Sequence, residues 1–181
     1  MNFQSTEIDG LILITPKVFK DPRGFFLESY SEQTFRNAGI STIFVQDNHS
    51  RSEPVGVLRG LHFQKPPFTQ TKLIRVVRGA IYDVAVDLRK SSPTFGKWQG
   101  FELTSNNFNM LLVPQGFAHG FCTTEPGTEV QYKVDNFYSP EHDSGIIWND
   151  PDLNIPWPVQ QPVLSAKDTV LPHFKGLISP F

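Results

Sequence analysis

Cysteine, excess charge of either sign and long apolar runs are all scarce in this chain of 181 residues. Its one cysteine, Cys122, excludes an internal disulfide. We identify neither a secretory signal nor an apolar run of membrane-spanning length, so we expect a cytoplasmic location. The 16 basic and 18 acidic residues nearly cancel, which argues against nucleic acid or a membrane surface as a partner. The length suits a single domain over residues 1–181.

Turn-forming residues divide the chain into many short apolar segments, with 15 prolines and 13 glycines among them. One helix is predicted over residues 31–38, where Ser31 can cap the first turn and Gly39 can end it. Ser165 can cap a second, short helical turn. So many short strands predict an all-β sandwich or barrel with short peripheral helices. The predicted strands are residues 11–14, 25–30, 43–46, 57–64, 72–77, 81–88, 98–103, 110–113, 119–122 and 129–134.

Residues 57–64, VLRGLHFQ, place polar side chains in a strand-forming pattern. His62 shares a strand face with Gly60 and Gln64, because residues two apart in a strand point to the same side. A histidine among small neighbours indicates a cavity, although a hydrogen-bonded core histidine is the more common interpretation of such a position. Arg59 lies on the opposite face of a regular strand. It can serve one site with His62 only if the strand bends or bulges at Gly60.

Alternation assigns side chains to faces in two further strands. Over residues 81–88, Asp83 lies on a mixed face, and the opposite face is apolar, formed by Tyr82, Val84, Val86 and Leu88. Over residues 129–134, Tyr132 shares a face with Val130 and Val134. We therefore expect Tyr132 to point into the barrel.

A second histidine, His119, follows a turn in residues 114–121, PQGFAHGF. Together with His62 and Gly79, it is similar to the two-motif signature of cupin barrels, in which an HxH pair, a glutamate and a later histidine bind a divalent metal. Here Gln64 replaces the second histidine of the pair, and no glutamate follows before Gly79. Because a catalytic metal usually has three strong protein ligands, we interpret the chain as a cupin-type jelly-roll barrel with no metal.

The remaining polar residues suit proton transfer next to a carbonyl group. An imidazole such as His62 can accept a proton, a carboxylate such as Asp83 or Asp168 can orient the ring, and an ammonium can stabilise an enolate. Lys72 supplies such an ammonium, and Tyr132 can return the proton to the opposite face of a bound ring. Judged individually, Lys72 also fits a solvated strand end, Asp83 a structural ion pair and Tyr132 a core tyrosine.

Seven stretches in order, between about residue 10 and residue 172, carry a wider resemblance: PKVFKDPRGFFLESYS, FVQDNHSRS, VLRGLHFQ, KLIRVVRGAIYDVAVDLRKSSPTFGKW, VPQGFAHGF, YSPEHDSGIIWNDPDLNIPWP and LSAKD. In these stretches the chain resembles the dTDP-4-dehydrorhamnose 3,5-epimerases. The resemblance implies a homodimeric isomerase without cofactors. Such an enzyme inverts C3 and C5 of dTDP-4-dehydro-6-deoxy-D-glucose through an enolate. The product is dTDP-4-dehydro-L-rhamnose, an intermediate of dTDP-L-rhamnose biosynthesis for cell-surface polysaccharides.

The resemblance also implies the catalytic roles of four residues. His62 would be the base, and Asp168 would be its partner in a dyad. Tyr132 would be the general acid. Lys72 would face the C4 oxygen of the sugar as that oxygen becomes an enolate.

Substrate-binding residues follow from the same resemblance. Besides Lys72, it implies substrate contacts from Gln46, Asn48, Arg59, His119 and Lys167. Arg23, Phe26 and Glu28 would contact the nucleotide across the dimer interface, and Tyr138 would stack on thymine. The resemblance also places Asp143 among the substrate contacts, at a position where the family usually has glutamate, which is one methylene longer.

Three alternatives remain open from the sequence. A relative that inverts only C3 or C5, or a ketoisomerase of a related dTDP-4-keto-6-deoxy sugar, would share the barrel; the His62 and Asp168 pair with Tyr132 favours an epimerase without counting inversions. A metal cupin, either an oxygenase or an isomerase, is disfavoured by Gln64. A non-catalytic sugar-binding cupin would keep the arginines and aromatic residues and would need no base.

Overall fold

Short antiparallel strands make up most of the structure, a computed structural model that describes residues 1–181. One α-helix, α1, spans Glu32–Asn37, and a 3₁₀ turn spans Phe174–Gly176. No helix is long and apolar enough to cross a bilayer. The strands are β1 (Asn2–Ser5), β2 (Ile12–Thr15), β3 (Val18–Asp21), β4 (Gly24–Leu27), β5 (Gln46–Ser52), β6 (Leu58–Gln64), β7 (Lys72–Arg78), β8 (Ala80–Asp87), β9 (Trp98–Thr104), β10 (Met110–Val113), β11 (Phe117–Thr123), β12 (Thr128–Val134) and β13 (Asp143–Gly145).

Two antiparallel sheets enclose the main core. The first has the order β1-β2-β10-β7-β12-β5, and the second has the order β13-β6-β11-β8-β9. Ile74 of the first sheet and Ile81 of the second meet in a core of buried apolar side chains between them. Strands β3 and β4 form a separate hairpin. The interior between the two sheets is therefore where alternating side chains of both sheets converge.

The two faces of β8 pack against different parts of the chain. Ile81 and Ala85 belong to the core between the sheets. The apolar face of residues 81–88 lies on the outer side of the sheet, where Val84 and Val86 pack with Ile146 and the C-terminal segment. A strand buried on both sides has no solvent face, so the more apolar face need not point inward. As a result, Asp83 faces the interior of the barrel.

Helix α1 covers the outer face of the first sheet. Phe35 is 1% exposed and packs with Leu73 and Met110. The Thr34 N–H donates to the Ser31 hydroxyl over 3.3 Å, which is the predicted N-cap. Gly39, with φ +84°, follows the helix as the predicted stop. The helix prediction is confirmed to within one residue at each end.

The main differences from the predicted elements are at polar or very short strands. Strand β5 begins at Gln46, so the prediction of a strand over residues 43–46 is wrong. Its polar sequence, QDNHSRS, forms a strand because it pairs along its whole length with β12. Strands β1, β3 and β13 were not predicted. At Ser165 the predicted cap is present: the Asp168 N–H donates to the Ser165 hydroxyl over 3.2 Å in a hydrogen-bonded turn, which does not continue into a helix.

Candidate active site

A cavity of about 450 Å³ lies between the two sheets, beneath the C-terminal segment. A second cavity, of about 370 Å³, adjoins it. Both are lined by His62, Lys72 and Tyr132. These three side chains therefore stand where the two cavities meet, and a ligand that extends through both must pass them.

A bulge in β6 brings Arg59 and His62 to the same cavity. His62 pairs with His119 and Arg59 with Phe121, so β6 carries one residue more than β11 over this stretch. Gly60 has φ +133°, and a Cβ there would lie 2.5 Å from the Cα of Gly120. Only glycine fits this close approach. The bulge required at Gly60 is confirmed.

His62 forms a dyad with a buried carboxylate from the C-terminal segment. Its Nε2 lies 2.5 Å from Oδ1 of Asp168, whose side chain is 3% exposed. The Ser165 hydroxyl donates to the other carboxylate oxygen over 2.9 Å. Burial on its own would raise the pKa of Asp168, but the hydrogen bond and charge of His62, together with Ser165, lower it below the usual value. Asp168 is thus ionised and holds the proton of His62 on Nε2, which leaves Nδ1 as the basic nitrogen.

Lys72 supplies a cation to the centre of the site. Burial lowers its pKa from 10.5 to about 8, although Asp143 and Asp83 oppose the shift by favouring the charged form. Because Lys72 is buried, its ammonium group is weakly solvated. An oxyanion that develops beside it would be stabilised strongly.

Tyr132 lies on the sheet opposite His62. Its strand, β12, belongs to the first sheet, whereas β6 belongs to the second. Tyr132 packs against the same core as Val130, which confirms the predicted inward orientation. Burial raises the pKa of Tyr132, Arg59 lowers it and Asp143 raises it further. The phenol therefore stays protonated at neutral pH and can donate a proton from the side opposite the imidazole.

A second histidine–aspartate pair lies at the wall of the same cavity, which His119 lines and from which Asp83 is buried. His119 Nε2 lies 2.5 Å from Oδ1 of Asp83, and the Asp83 side chain is fully buried. The second carboxylate oxygen, Oδ2, has no hydrogen-bond partner. His119 is the cross-strand neighbour of His62. The sequence placed both His119 and Asp83 among the polar candidates but did not predict that they pair.

The adjoining cavity carries most of the predicted substrate contacts. Its lining includes Gln46, Asn48, Tyr138, Asp143 and Lys167. The Gln46 amide donates to Asn48 Oδ1 over 2.9 Å. Asp143 Oδ2 accepts from the Tyr138 hydroxyl over 3.1 Å and from the Lys167 ammonium. The carboxylate therefore ties together an aromatic ring and a cation at the mouth of the cavity.

Three predicted residues lie apart from this group. Arg23, Phe26 and Glu28 are exposed on or beside the β3–β4 hairpin and line neither cavity. Arg23 pairs with Asp21, and Glu28 accepts from the Thr34 hydroxyl over 3.1 Å. Within one chain, the structure does not bring them to His62.

Some lining residues were missed by the sequence analysis. Ser50 lies two positions after Asn48 on the inward face of β5 and was missed because that strand was placed too early. Val163 and Leu164 form an apolar part of the wall, and no periodic pattern marks their segment. Across the chain, no three His, Cys, Asp or Glu side chains are grouped so that they could hold a metal ion.

Comparison with known proteins gives one consistent family. A family profile described as dTDP-4-dehydrorhamnose 3,5-epimerase matches residues 5–176. A protein of that name from Shigella flexneri is 54% identical over 169 residues, which cover 93% of each chain. The solved Bacillus anthracis enzyme with TDP and pyrophosphate bound is 55% identical, with a TM-score of 0.93 over 95% of this chain and 98% of its own. A Legionella pneumophila epimerase in complex with dTDP-4-keto-L-rhamnose is 44% identical, with a TM-score of 0.93 over 97% and 94%.

Proposed function

The chain belongs to the dTDP-4-dehydrorhamnose 3,5-epimerase family, and from that premise we propose how its residues divide the reaction between them. The predicted cupin-type jelly roll is the fold of this family. The activity is that of an isomerase, which converts dTDP-4-dehydro-6-deoxy-D-glucose into dTDP-4-dehydro-L-rhamnose by inverting C3 and C5. The observation that carries the proposed division of roles is the His62–Asp168 dyad, which shares one cavity with Lys72 and Tyr132.

Proton abstraction is the first proposed step. C3 and C5 both neighbour the C4 ketone, so each C–H bond becomes acidic when its electrons can pass to the C4 oxygen. His62 takes the proton on Nδ1, the electrons of the broken C–H bond form the enolate, and the Lys72 ammonium stabilises the oxyanion. Asp168 stabilises the imidazolium that results.

Reprotonation from the opposite face is the second step. Tyr132 donates its proton to the carbon as the enolate collapses back to the ketone, and the carbon is inverted. The phenolate and the imidazolium then return to their starting forms by proton exchange with solvent. Repetition at the other carbon completes the reaction without an oxidant, a reductant or a metal in any step.

We expect kcat/KM to fall as the pH rises through about 8, because the charged form of Lys72 in the free enzyme is lost there. The sign follows from the lowered pKa: the ammonium is present below that pH and neutral amine replaces it above. Tyr132, whose pKa is raised, keeps its proton over the same range. A kcat/KM profile between about pH 6 and pH 10 measures the effect. Lys72→Met should give a low rate with no such decline, and a flat profile in the unaltered enzyme would contradict the proposed role of Lys72.

Substrate binding is assigned to the residues that surround this centre. Two relatives bind TDP or a dTDP-sugar, which supports a dTDP-linked 4-keto-6-deoxy-hexose as the ligand of this cavity. We assign its polar contacts to Gln46, Asn48, Arg59, His119 and Lys167. Tyr138 is proposed to stack on the thymine ring. Asp143 is proposed to act by holding Tyr138 and Lys167 in place.

A homodimer would explain why Arg23, Phe26 and Glu28 lie away from the cavity of their own chain. Phe25 and Phe26 on the hairpin are 60% and 70% exposed, and such an apolar surface is typical of an interface. We propose that the hairpin of one chain carries Arg23, Phe26 and Glu28 to the cavity of its partner.

Disruption of that hairpin tests the dimer. Phe26→Asp is expected to give a monomer in sedimentation experiments and to raise KM about tenfold, since a central aromatic contact is lost. Ile178→Asp, which changes an exposed apolar residue elsewhere, should do neither. A single-chain mass for the unaltered protein would overturn the dimer.

Two broader proposals accompany the assignment. Residues 1–181 are proposed to form one domain, because the C-terminal segment completes a core on the outer face of β8. A cytoplasmic location is also proposed, since Cys122 is a buried free thiol and the chain has no disulfide. Limited proteolysis and cell fractionation test these proposals.

The whole assignment is tested by deuterium incorporation. The 4-keto-6-deoxyglucose nucleotide is incubated with the enzyme in D₂O and a chelator, and label at C3 and C5 is read together with the product configuration. Label at both carbons and L-configured product are expected. Label at one carbon would indicate a single-carbon epimerase, and loss of activity on chelation would indicate a metal.

A further inference from the structure

Gln64 takes the place of the second metal-binding histidine of a cupin, and its buried amide group is hydrogen-bonded at both ends. Oε1 accepts from the Ser139 N–H over 2.7 Å. Nε2 donates to the carbonyl oxygens of Phe137 and Phe68 over 3.1 and 2.6 Å. The residue is 4% exposed. The Gln64 side chain therefore links β6 by hydrogen bonds to the loop that follows β12.

Two of these three bonds are made on either side of Tyr138. Phe137 and Ser139 are its neighbours in the chain, so Gln64 holds the backbone immediately before and after it. Tyr138 is 58% exposed and lines the cavity, and its hydroxyl donates to Asp143. Asp143 is also the cross-strand partner of Gln64. One pair of residues across β6 and β13 thus holds Tyr138 by its backbone and by its hydroxyl.

We propose that Gln64 is a positioning residue that presents Tyr138 to the nucleobase of the substrate. The inference rests on the proposed stacking role of Tyr138. The geometry calls for one acceptor and two donors at the end of a two-methylene side chain, which glutamine provides and an ionised glutamate does not. Because His62 lies two residues earlier on the same strand face, β6 sets the spacing between the base and the stacking ring.

Replacement of Gln64 should weaken nucleotide binding and leave the chemical step nearly unchanged. Gln64→Met keeps the length of the side chain and loses all three hydrogen bonds. Gln64→Glu keeps the acceptor for Ser139 and loses the donors to both carbonyls. We expect each variant to raise the Kd for dTDP and the KM for the substrate about tenfold, with kcat within about threefold of the unaltered enzyme.

Gln115 offers a matched control. Its amide also joins two segments through side-chain bonds, to Thr69 and Asp135, but it lines neither cavity. Gln115→Met should leave Kd, KM and kcat unchanged. Thermal unfolding of every variant shows whether it is folded, and if Gln64→Met does not fold, Gln64→Glu provides the same test.

A double-mutant cycle with Tyr138→Ala decides the matter. If Gln64 acts through the ring, its replacement in the Tyr138→Ala background should change the Kd for dTDP less than twofold. An undiminished tenfold effect in that background would overturn the positioning role and leave stacking intact. If Tyr138→Ala alone leaves Kd unchanged, stacking is wrong, and the role of Gln64 falls with it. A loss of kcat without a change in Kd in the Gln64 variants would also overturn the inference.

Discussion

Replacement of His62 with alanine is expected to lower kcat by a factor on the order of 10² or more. Of the two cavity histidines that are backed by a buried carboxylate, His62 is the more accessible, with 28% of its side chain exposed against 8% for His119. Without the His62 imidazole, neither C3 nor C5 loses its proton, so label from D₂O should appear at neither carbon. The affinity for dTDP should change little, because the proposed nucleotide contacts lie elsewhere in the site.

The control for this result is a histidine outside the cavity. His49 pairs with Glu129 on the other face of β5, and His49→Ala should leave kcat unchanged. Deuterium exchange at the normal rate in His62→Ala would show that another group is the base. Loss of turnover with preserved dTDP binding would exclude the non-catalytic sugar-binding alternative.

Replacement of Tyr132 with phenylalanine is expected to separate exchange from inversion. His62 and Lys72 can still form the enolate, but no acid remains on the opposite face. The imidazolium then returns a solvent-derived deuteron to the face from which the proton left. Product formation should fall on the order of 10²-fold or more, while label enters recovered substrate.

The position of that label carries further information. Label at both C3 and C5 of uninverted substrate would show that His62 reaches each carbon. Tyr30→Phe is the matched control, since Tyr30 packs on Phe35 and Phe44 away from the cavity. Normal product formation by Tyr132→Phe would contradict the general-acid role. Equal loss of exchange and of product would indicate that Tyr132 is needed for enolisation itself.

Local patterns predicted most of the fold because strand alternation and caps act over a few residues. The limits of β6, β7 and β12 follow from runs of strand-forming residues between turn-forming ones, and those of α1 follow from Ser31 and Gly39. Strand β5 was misplaced since its polar residues show no apolar alternation, and pairing with β12 decides its position. The outward turn of Val84 and Val86 depends on the distant C-terminal segment. Such long-range packing leaves no local signal.

The candidate site was predicted in a similar way, in part. Gly60 next to Arg59 and His62 indicated a bulge, and the structure contains it. The family resemblance predicted that Lys72, Tyr132 and Asp168 act with His62, and all four side chains line one cavity. The pairing of Asp83 with His119 depends on contacts between segments that are far apart in sequence. The same is true of the hydrogen bonds that Gln64 makes on either side of Tyr138. These contacts become visible only when the sheets are assembled.

The dyad joins residues that lie 106 positions apart. In a growing polypeptide, all the strands of both sheets are complete by Gly145, whereas Asp168 is added later. A nascent chain can therefore close its barrel around His62 while the carboxylate that orients this histidine is still inside the ribosome. A chain that has closed its barrel before Asp168 is in place would hold His62 in the cavity without the carboxylate that orients it.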